Sequence, residues 1–230
     1  DLGFLLHYVE VMLTYAIGDI HGRADLLNKL LIKIARHAGD REYRIVTLGD
    51  YVDRGPDSKG VLDTLMGLPN LIALRGNHEA MFLAAIGDPD DFGGHYAEIS
   101  DFLSNGGQET LDSFGISLPG DLDRKYLRFL WQTKFSFQDE RRFYVHAGVD
   151  PTVPLNEQTQ RTMMYTRSPF LNITFKFEKY VVHGHTPQAS GWPDVKPNRC
   201  NLDTKAWASN RLTCGVFGDI DDQPFEIIQT

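Results

Sequence analysis

The chain has 230 residues, 42% of them hydrophobic and 23% charged, with 21 glycines and 11 prolines. That is the make-up of a globular protein able to bury a sizeable core without covalent staples, and no linker divides it, so one large domain is expected. Twenty-three Lys and Arg against 31 Asp and Glu leave a net charge of -8, which argues against non-specific binding to a nucleic-acid duplex or an anionic membrane.

The apolar opening "LGFLLHYVEVMLTYAI" carries His7 and Glu10 and lacks both a basic flank and a small-residue cleavage site. It reads poorly as a signal peptide or a membrane span. Met12 is a natural translation start, so residues 1–11 are expected to be a tag or an N-terminal extension, with a single domain over 12–230. Cys200 and Cys214 read as two buried free thiols, and a reducing cytoplasm as the location.

A short β-like apolar run ending in a polar, glycine-rich tip recurs five times along the chain. "LTYAI" leads into "GDIHG", "YRIVTL" into "GDYVDRG", "LIAL" into "RGNHE", "RFYV" into "HAG", and "KYVV" into "HGHT". Between the first two runs, "ADLLNKLLIKIARHA" sets Leu26, Leu27, Leu30, Leu31 and Ile34 at helical spacing, with Asp25 early and Gly39 past the end. "SKGVLDTLMGL", stopped by Pro69, predicts a second helix, and "NHEAMFLAAIGD" a third with Asn77 as N-cap. Residues 88–134 read as short helices broken by "GG" and "LPG", a helical cover folded over the sheet. "NRCNLDT", "RLTCGVFG" and "FEIIQT" predict three late strands. Helices placed early and β-structure late point to an α/β fold, a layered sandwich rather than a simple doubly wound sheet.

Strand ends that feed polar loops are where α/β proteins place their sites. A dinuclear metal site needs carboxylate and imidazole ligands, an oxygen able to bridge two cations, and open positions for water and substrate. The five tips supply that set: Asp19 and His21, Asp50, Asn77 and His78, His146, and His185. Four of the eight histidines belong to that set. One such tip is an ordinary turn; five in one chain predict a metal centre.

The five tips stand in the order and spelling of the phosphoprotein phosphatases, the Ser/Thr phosphatases of the calcineurin-like metallophosphoesterase superfamily. The resemblance runs from about Leu13 to Thr230, and the short length and "SNGGQETLDSFGI" are similar to the compact bacterial and phage members. It implies an α-β-β-α sandwich: a central mixed β-sandwich flanked by helices, with the site at strand-end loops. It implies that Asp19, His21 and Asp50 hold one divalent cation and that Asp50, Asn77, His146 and His185 hold a second, Asp50 bridging. Manganese is the expected metal; iron, zinc and cobalt suit the same ligands. Water activated between the two cations would attack phosphorus in line.

The same resemblance makes Arg54 the first phosphate-binding arginine and His78 the general acid, with Asp53 orienting it or capping the turn at Gly55-Pro56. Arg167 is expected to be the second phosphate-binding arginine, with Arg161, Arg141 and Arg142 as alternatives. Arg75 is given a structural ion-pair role, His183 a packed one, and His95 a place in the cover. Small members tend to carry a small residue after the late Asp-Thr pair, whereas "NLDTKAW" places Lys205 there; it is either a charge near the leaving group or a plain surface lysine. None of the matched ligands is missing, which argues against a silent binding module. The expected activity is that of a metal-dependent phosphomonoesterase acting on phosphorylated protein or a small phosphoester. The alternative is a symmetrical dinucleoside tetraphosphatase or other nucleotide phosphoanhydride hydrolase.

Overall fold

A computed structural model describes residues 12–87 and 99–230. The expected extension at 1–11, His95 and the start of the cover lie outside the described residues. In chain order the elements are β1 (Leu13–Ile17), α1 (Ala24–Ala38), β2 (Tyr43–Thr47), α2 (Ser58–Met66), β3 (Leu71–Ala73) and α3 (Asn77–Ala85). Then come α4 (Ile99–Phe102), α5 (Gln108–Phe114), α6 (Arg124–Gln132), β4 (Ser136–Gln138), β5 (Arg142–Val145) and α7 (Gln160–Tyr165). The chain closes with β6 (Tyr180–His183), β7 (Asp194–Val195), β8 (Arg199–Asn201), α8 (Ala206–Ser209), β9 (Thr213–Phe217) and β10 (Glu226–Gln229).

The strands form two sheets of mixed direction, β10-β9-β1-β2-β3 and β4-β5-β6-β8-β7. Within the first, β1, β2 and β3 run parallel; within the second, β5, β6 and β8 do. The five apolar runs are therefore all strands, and their polar tips all follow the carboxyl ends of parallel strands. The three late runs are strands as well, but β8 joins β6 in the second sheet while β9 and β10 complete the first.

Side-chain alternation sorts each strand between two layers. Leu13, Tyr15 and Ile17 of β1 pack under the helices, whereas Ala16 joins Val46, Tyr144, Val182, Leu202 and Phe217 between the sheets. On the outer face of the second sheet Phe143, Val145 and Val181 pack against Met163 of α7 and Phe170. The result is a helix–sheet–sheet–helix sandwich. Helix α1 matches its expected bounds: Leu26, Leu27, Leu30 and Ile34 are buried, Leu31 is half-buried, and Gly39 ends it at φ 57. Cys200 faces the inter-sheet core and Cys214 the helical layer, both as free buried thiols. Among the described residues no helix is long and apolar enough to cross a membrane.

Asn77 was expected to cap α3, but it is the first helical residue, and Gly76 is the cap. Glu79 Oε2 accepts the Gly76 N–H at 2.9 Å, so the helix start is closed from within the helix and the Asn77 side chain is left free for another use. In the cover, Gly106 (φ 95) breaks a π-helical turn at Leu103–Gly107 between α4 and α5, and Gly115 ends α5 in the left-handed region. The short strands β4 and β7 carry no readable alternation; pairing with β5 and β8 makes them strands.

Phe217 is fully buried between the sheets, edge-on to Tyr144 with ring centroids 6.0 Å apart. Phe217→Ala is expected to cost about 3–5 kcal/mol of stability, read as a lowered denaturation midpoint at unchanged slope.

Candidate metal centre

The tips of β1, β2 and β3 meet those of β5 and β6 at one edge of the sandwich. Asp50 lies at the middle. Its Oδ2 is 3.5 Å from His21 Nε2 and 3.9 Å from His78 Nε2, and its Oδ1 is 3.4 Å from His146 Nε2. Two groups of side chains converge tightly enough to hold a cation, His21 with Asp50 and His78, and Asp50 with His146 and His185; Asp50 belongs to both. Asn77 Oδ1 completes the second, 3.0 Å from His146 Nε2 and 2.8 Å from His185 Nδ1. Asp19 is also on this floor: its carboxylate accepts the His185 N–H at 3.1 Å. It stands outside both of the tight groups, whereas His78 is inside one.

The protonation pattern is set by second partners. His21 Nδ1 donates to Val52 O at 2.9 Å and His146 Nδ1 to Leu48 O at 2.8 Å. A carbonyl can only accept, so in the neutral ring each Nε2 carries a lone pair. Burial, together with the neighbouring positive groups, pushes both pKa values below the usual histidine value. His185 is driven down to about 2 by burial and the nearby His146. Burial opposes the charge on Asp50, and only positive charge among the groups around it, at His146 first, lowers its pKa, a charge that the rings do not supply while neutral. Lone pairs of neutral imidazoles thus point at a carboxylate, acceptor against acceptor, an arrangement that a cation between them satisfies. Burial and the charges of Asp203 and Asp50 raise the Asp19 pKa, a second sign that this floor is built for positive charge.

His78 behaves differently. Its Nδ1 is 2.6 Å from Asp53 Oδ2. Burial disfavours its charge, yet the Asp50 carboxylate and the Asp53 hydrogen bond outweigh that and raise its pKa. The tight turn at Gly55 is closed by backbone, Gly55 N–H to Asp53 O at 2.8 Å, so the Asp53 side chain is used on His78 and on Thr110 Oγ1, which donates to Oδ1 at 2.6 Å. The cover reaches the centre here, for Gly106 O also accepts the Arg54 N–H at 3.0 Å.

Arg54 Nη1 stands 3.0 Å from His21 Nε2. Arg167 donates to His185 O at 3.4 Å, so it too reaches the centre. The alternatives are engaged elsewhere: Arg141 and Arg142 bond the backbone of Gly218, Asp219 and Asp221 at the far end of β5, and Arg161 lies against Tyr165. Arg75 donates to the last carbonyls of α6, Leu130 and Trp131, and stacks on Phe135, a structural use. His183 is buried between Phe170 and Arg199, packed as expected.

A model of the calcineurin-like phosphoesterases matches residues 12–205. The chain belongs to the calcineurin-like phosphoesterase family. Membership makes it a hydrolase of phosphate esters and implies divalent metal ions at a donor set of this kind. The symmetrical bis(5'-nucleosyl)-tetraphosphatase of Cellvibrio japonicus is 30% identical over 218 residues, which is 91% of this chain and 72% of that one. Serine/threonine-protein phosphatase 2 of Escherichia coli is 37% identical over 79 residues, 34% of each chain. Among solved structures, a protein provisionally named a diadenosine tetraphosphatase superposes with a TM-score of 0.70 at 22% identity, covering 97% of this chain and 94% of its own.

Two buried carboxylates of this phosphoesterase escape a motif reading by role. Asp203, 1% exposed, is pushed up to about 6 by burial and the charge of Asp50. Glu79 lies beneath Asp50: its carboxylate accepts the N–H groups of Asp50 (2.8 Å), Tyr51 (2.7 Å) and Gly76 (2.9 Å). The letter "E" of "RGNHE" was visible, but nothing in one dimension shows that it pins a loop 28 residues upstream. Glu79→Gln turns an amide NH₂ against those donors. It is expected to lower stability by about 1–3 kcal/mol and manganese affinity by roughly 10- to 100-fold, measured by thermal unfolding and calorimetric titration.

Proposed function

We propose that this phosphoesterase hydrolyses nucleotide phosphoanhydrides, with a symmetrically split dinucleoside tetraphosphate as its reference substrate. The observation that carries the reading is the extent of the match to the Cellvibrio tetraphosphatase, which spans 91% of this chain. The Ser/Thr protein phosphatase read from the motifs becomes the second reading, favoured by a relative that matches over about a third of the chain. The metal-binding tips are common to both chemistries, so they do not separate them.

In this reading Asp19, His21 and Asp50 would hold one divalent cation, and Asp50, Asn77, His146 and His185 would hold another. When bound, such cations supply Lewis acidity toward phosphoryl oxygens and bring the pKa of water toward neutrality. Arg54 and Arg167 approach the centre from opposite sheets and bind the phosphoryl oxygens, a task that the guanidinium fork suits. His78, whose ring Asp53 fixes through Nδ1, would deliver a proton from Nε2 to the departing oxygen.

Turnover of diadenosine tetraphosphate, ATP, a phosphoserine peptide and p-nitrophenyl phosphate with Mn²⁺ tests the reading. The dinucleotide is expected to give the highest kcat/KM; a phosphopeptide in that position would replace the first reading with the second. Chelator should abolish all of these activities and Mn²⁺ restore them.

His78→Asn is expected to leave metal content nearly intact while reducing turnover on the order of 10²-fold or more for poor leaving groups, and less for good ones. Asp53→Asn removes a carboxylate that raises the His78 pKa, so that pKa falls. The alkaline limb of the kcat profile for a poor leaving group should then move to lower pH, and an unmoved limb would take Asp53 out of this role.

A further inference from the structure

Among the described residues, the non-glycine positions at left-handed φ are His21, Asp50, Asp53, Arg54 and His185 in the centre, Asn210 at the end of α8, and Lys205. Lys205 sits at φ 58 and ψ 48, where glycine rests without strain and a lysine does not. Strained residues gather where the surrounding structure holds a side chain for a purpose. Here the backbone is held by the centre itself, because the Lys205 N–H donates to Asp203 Oδ1 at 2.9 Å.

The side chain is not spent on a structural ion pair: among the described residues no carboxylate pairs with its ammonium. Instead Lys205 Nζ stands 5.2 Å from the centroid of the Trp207 ring, and Arg54 Cζ stands 5.6 Å from the same centroid. Trp207 is 37% exposed at this rim. One indole therefore contacts two cations, of which Arg54 also stands beside His21.

A monoester whose phosphoryl group sits on Arg54 offers an uncharged organic group to Lys205. A polyphosphate offers a second phosphate. We propose that Lys205, steadied on Trp207 beside Arg54, is the subsite for the second phosphate of the substrate and selects phosphoanhydrides over phosphomonoesters. The proposal rests on the nucleotide reading above. As water adds to the scissile phosphorus and the bridging P–O bond breaks, the electron pair leaves with the second phosphate, and the Lys205 ammonium offsets the charge gained there.

The test is the ratio of kcat/KM for diadenosine tetraphosphate to that for p-nitrophenyl phosphate, with Mn²⁺ present. Lys205→Gly relieves the backbone and removes the charge, and is expected to lower the ratio by about 10-fold or more, as for loss of a charge-assisted hydrogen bond. Lys205→Met keeps the strained backbone and the aliphatic stem and should lower it equally, whereas Lys205→Arg should restore most of it. A ratio unmoved in Lys205→Gly and Lys205→Met, with nucleotides still cleaved by the wild type, overturns the subsite alone. A wild-type enzyme that cleaves phosphopeptides and no nucleotide overturns the nucleotide reading and the subsite with it.

Discussion

The Asp50 carboxylate is the point on which the structure turns. It is almost fully buried, ringed by histidines from both sheets, and its backbone N–H is tied to Glu79 beneath it. A lone buried carboxylate is costly, and so is a set of neutral imidazoles whose lone pairs face it. Cations remove both costs together, so metal binding and the closing of the two sheets onto one another are expected to be linked. The cross-sheet hydrogen bond from His146 Nδ1 to Leu48 O and that from the His185 N–H to Asp19 show how directly the second sheet is fastened to the first.

Holding that floor demands an unusual backbone. Five residues of the centre take left-handed φ without being glycine. Such positions cost of order 1–3 kcal/mol each and persist only when the rest of the fold over-determines them. The three hydrophobic layers supply that surplus. Glycine is used where nothing else fits: a Cβ on Gly76 would fall 2.1 Å from Asp50 Oδ1, and one on Gly184 would fall 2.0 Å from Asp19 Oδ1. The glycines of "RGNHE" and "HGHT" are thus requirements of close approach to the two carboxylates.

Around this floor, the parts that frame it come from elsewhere in the chain. The cover reaches in through Gly106 and Thr110 to hold Arg54 and Asp53, and the turn after β8 brings Lys205 and Trp207 to the rim. A floor with this donor set suits esters and anhydrides alike, so on the reading proposed above it is the charges on its rim that would distinguish them.

Much of the fold was legible in the sequence because its signals are local. The five apolar runs and the 3.6-residue spacing of Leu26, Leu27, Leu30 and Ile34 depend only on which face is buried, and period carries that information along one dimension. The residues of the centre were legible because metal chemistry restricts which side chains can serve at strand tips. What stayed hidden is set by contacts between distant segments. The placement of β8 and β9 in different sheets, the capping of α3 by Gly76 rather than Asn77, Glu79 under Asp50, and the elimination of Arg141 and Arg142 as phosphate ligands are all of this kind. The same holds for Lys205, which the sequence left as either a charge near the leaving group or a plain surface lysine and whose ammonium the turn sets on Trp207. The sequence by itself determined the chemistry of the centre, since ligand type is a property of residues; only the tertiary structure decided which charges surround it, since position is a property of the fold.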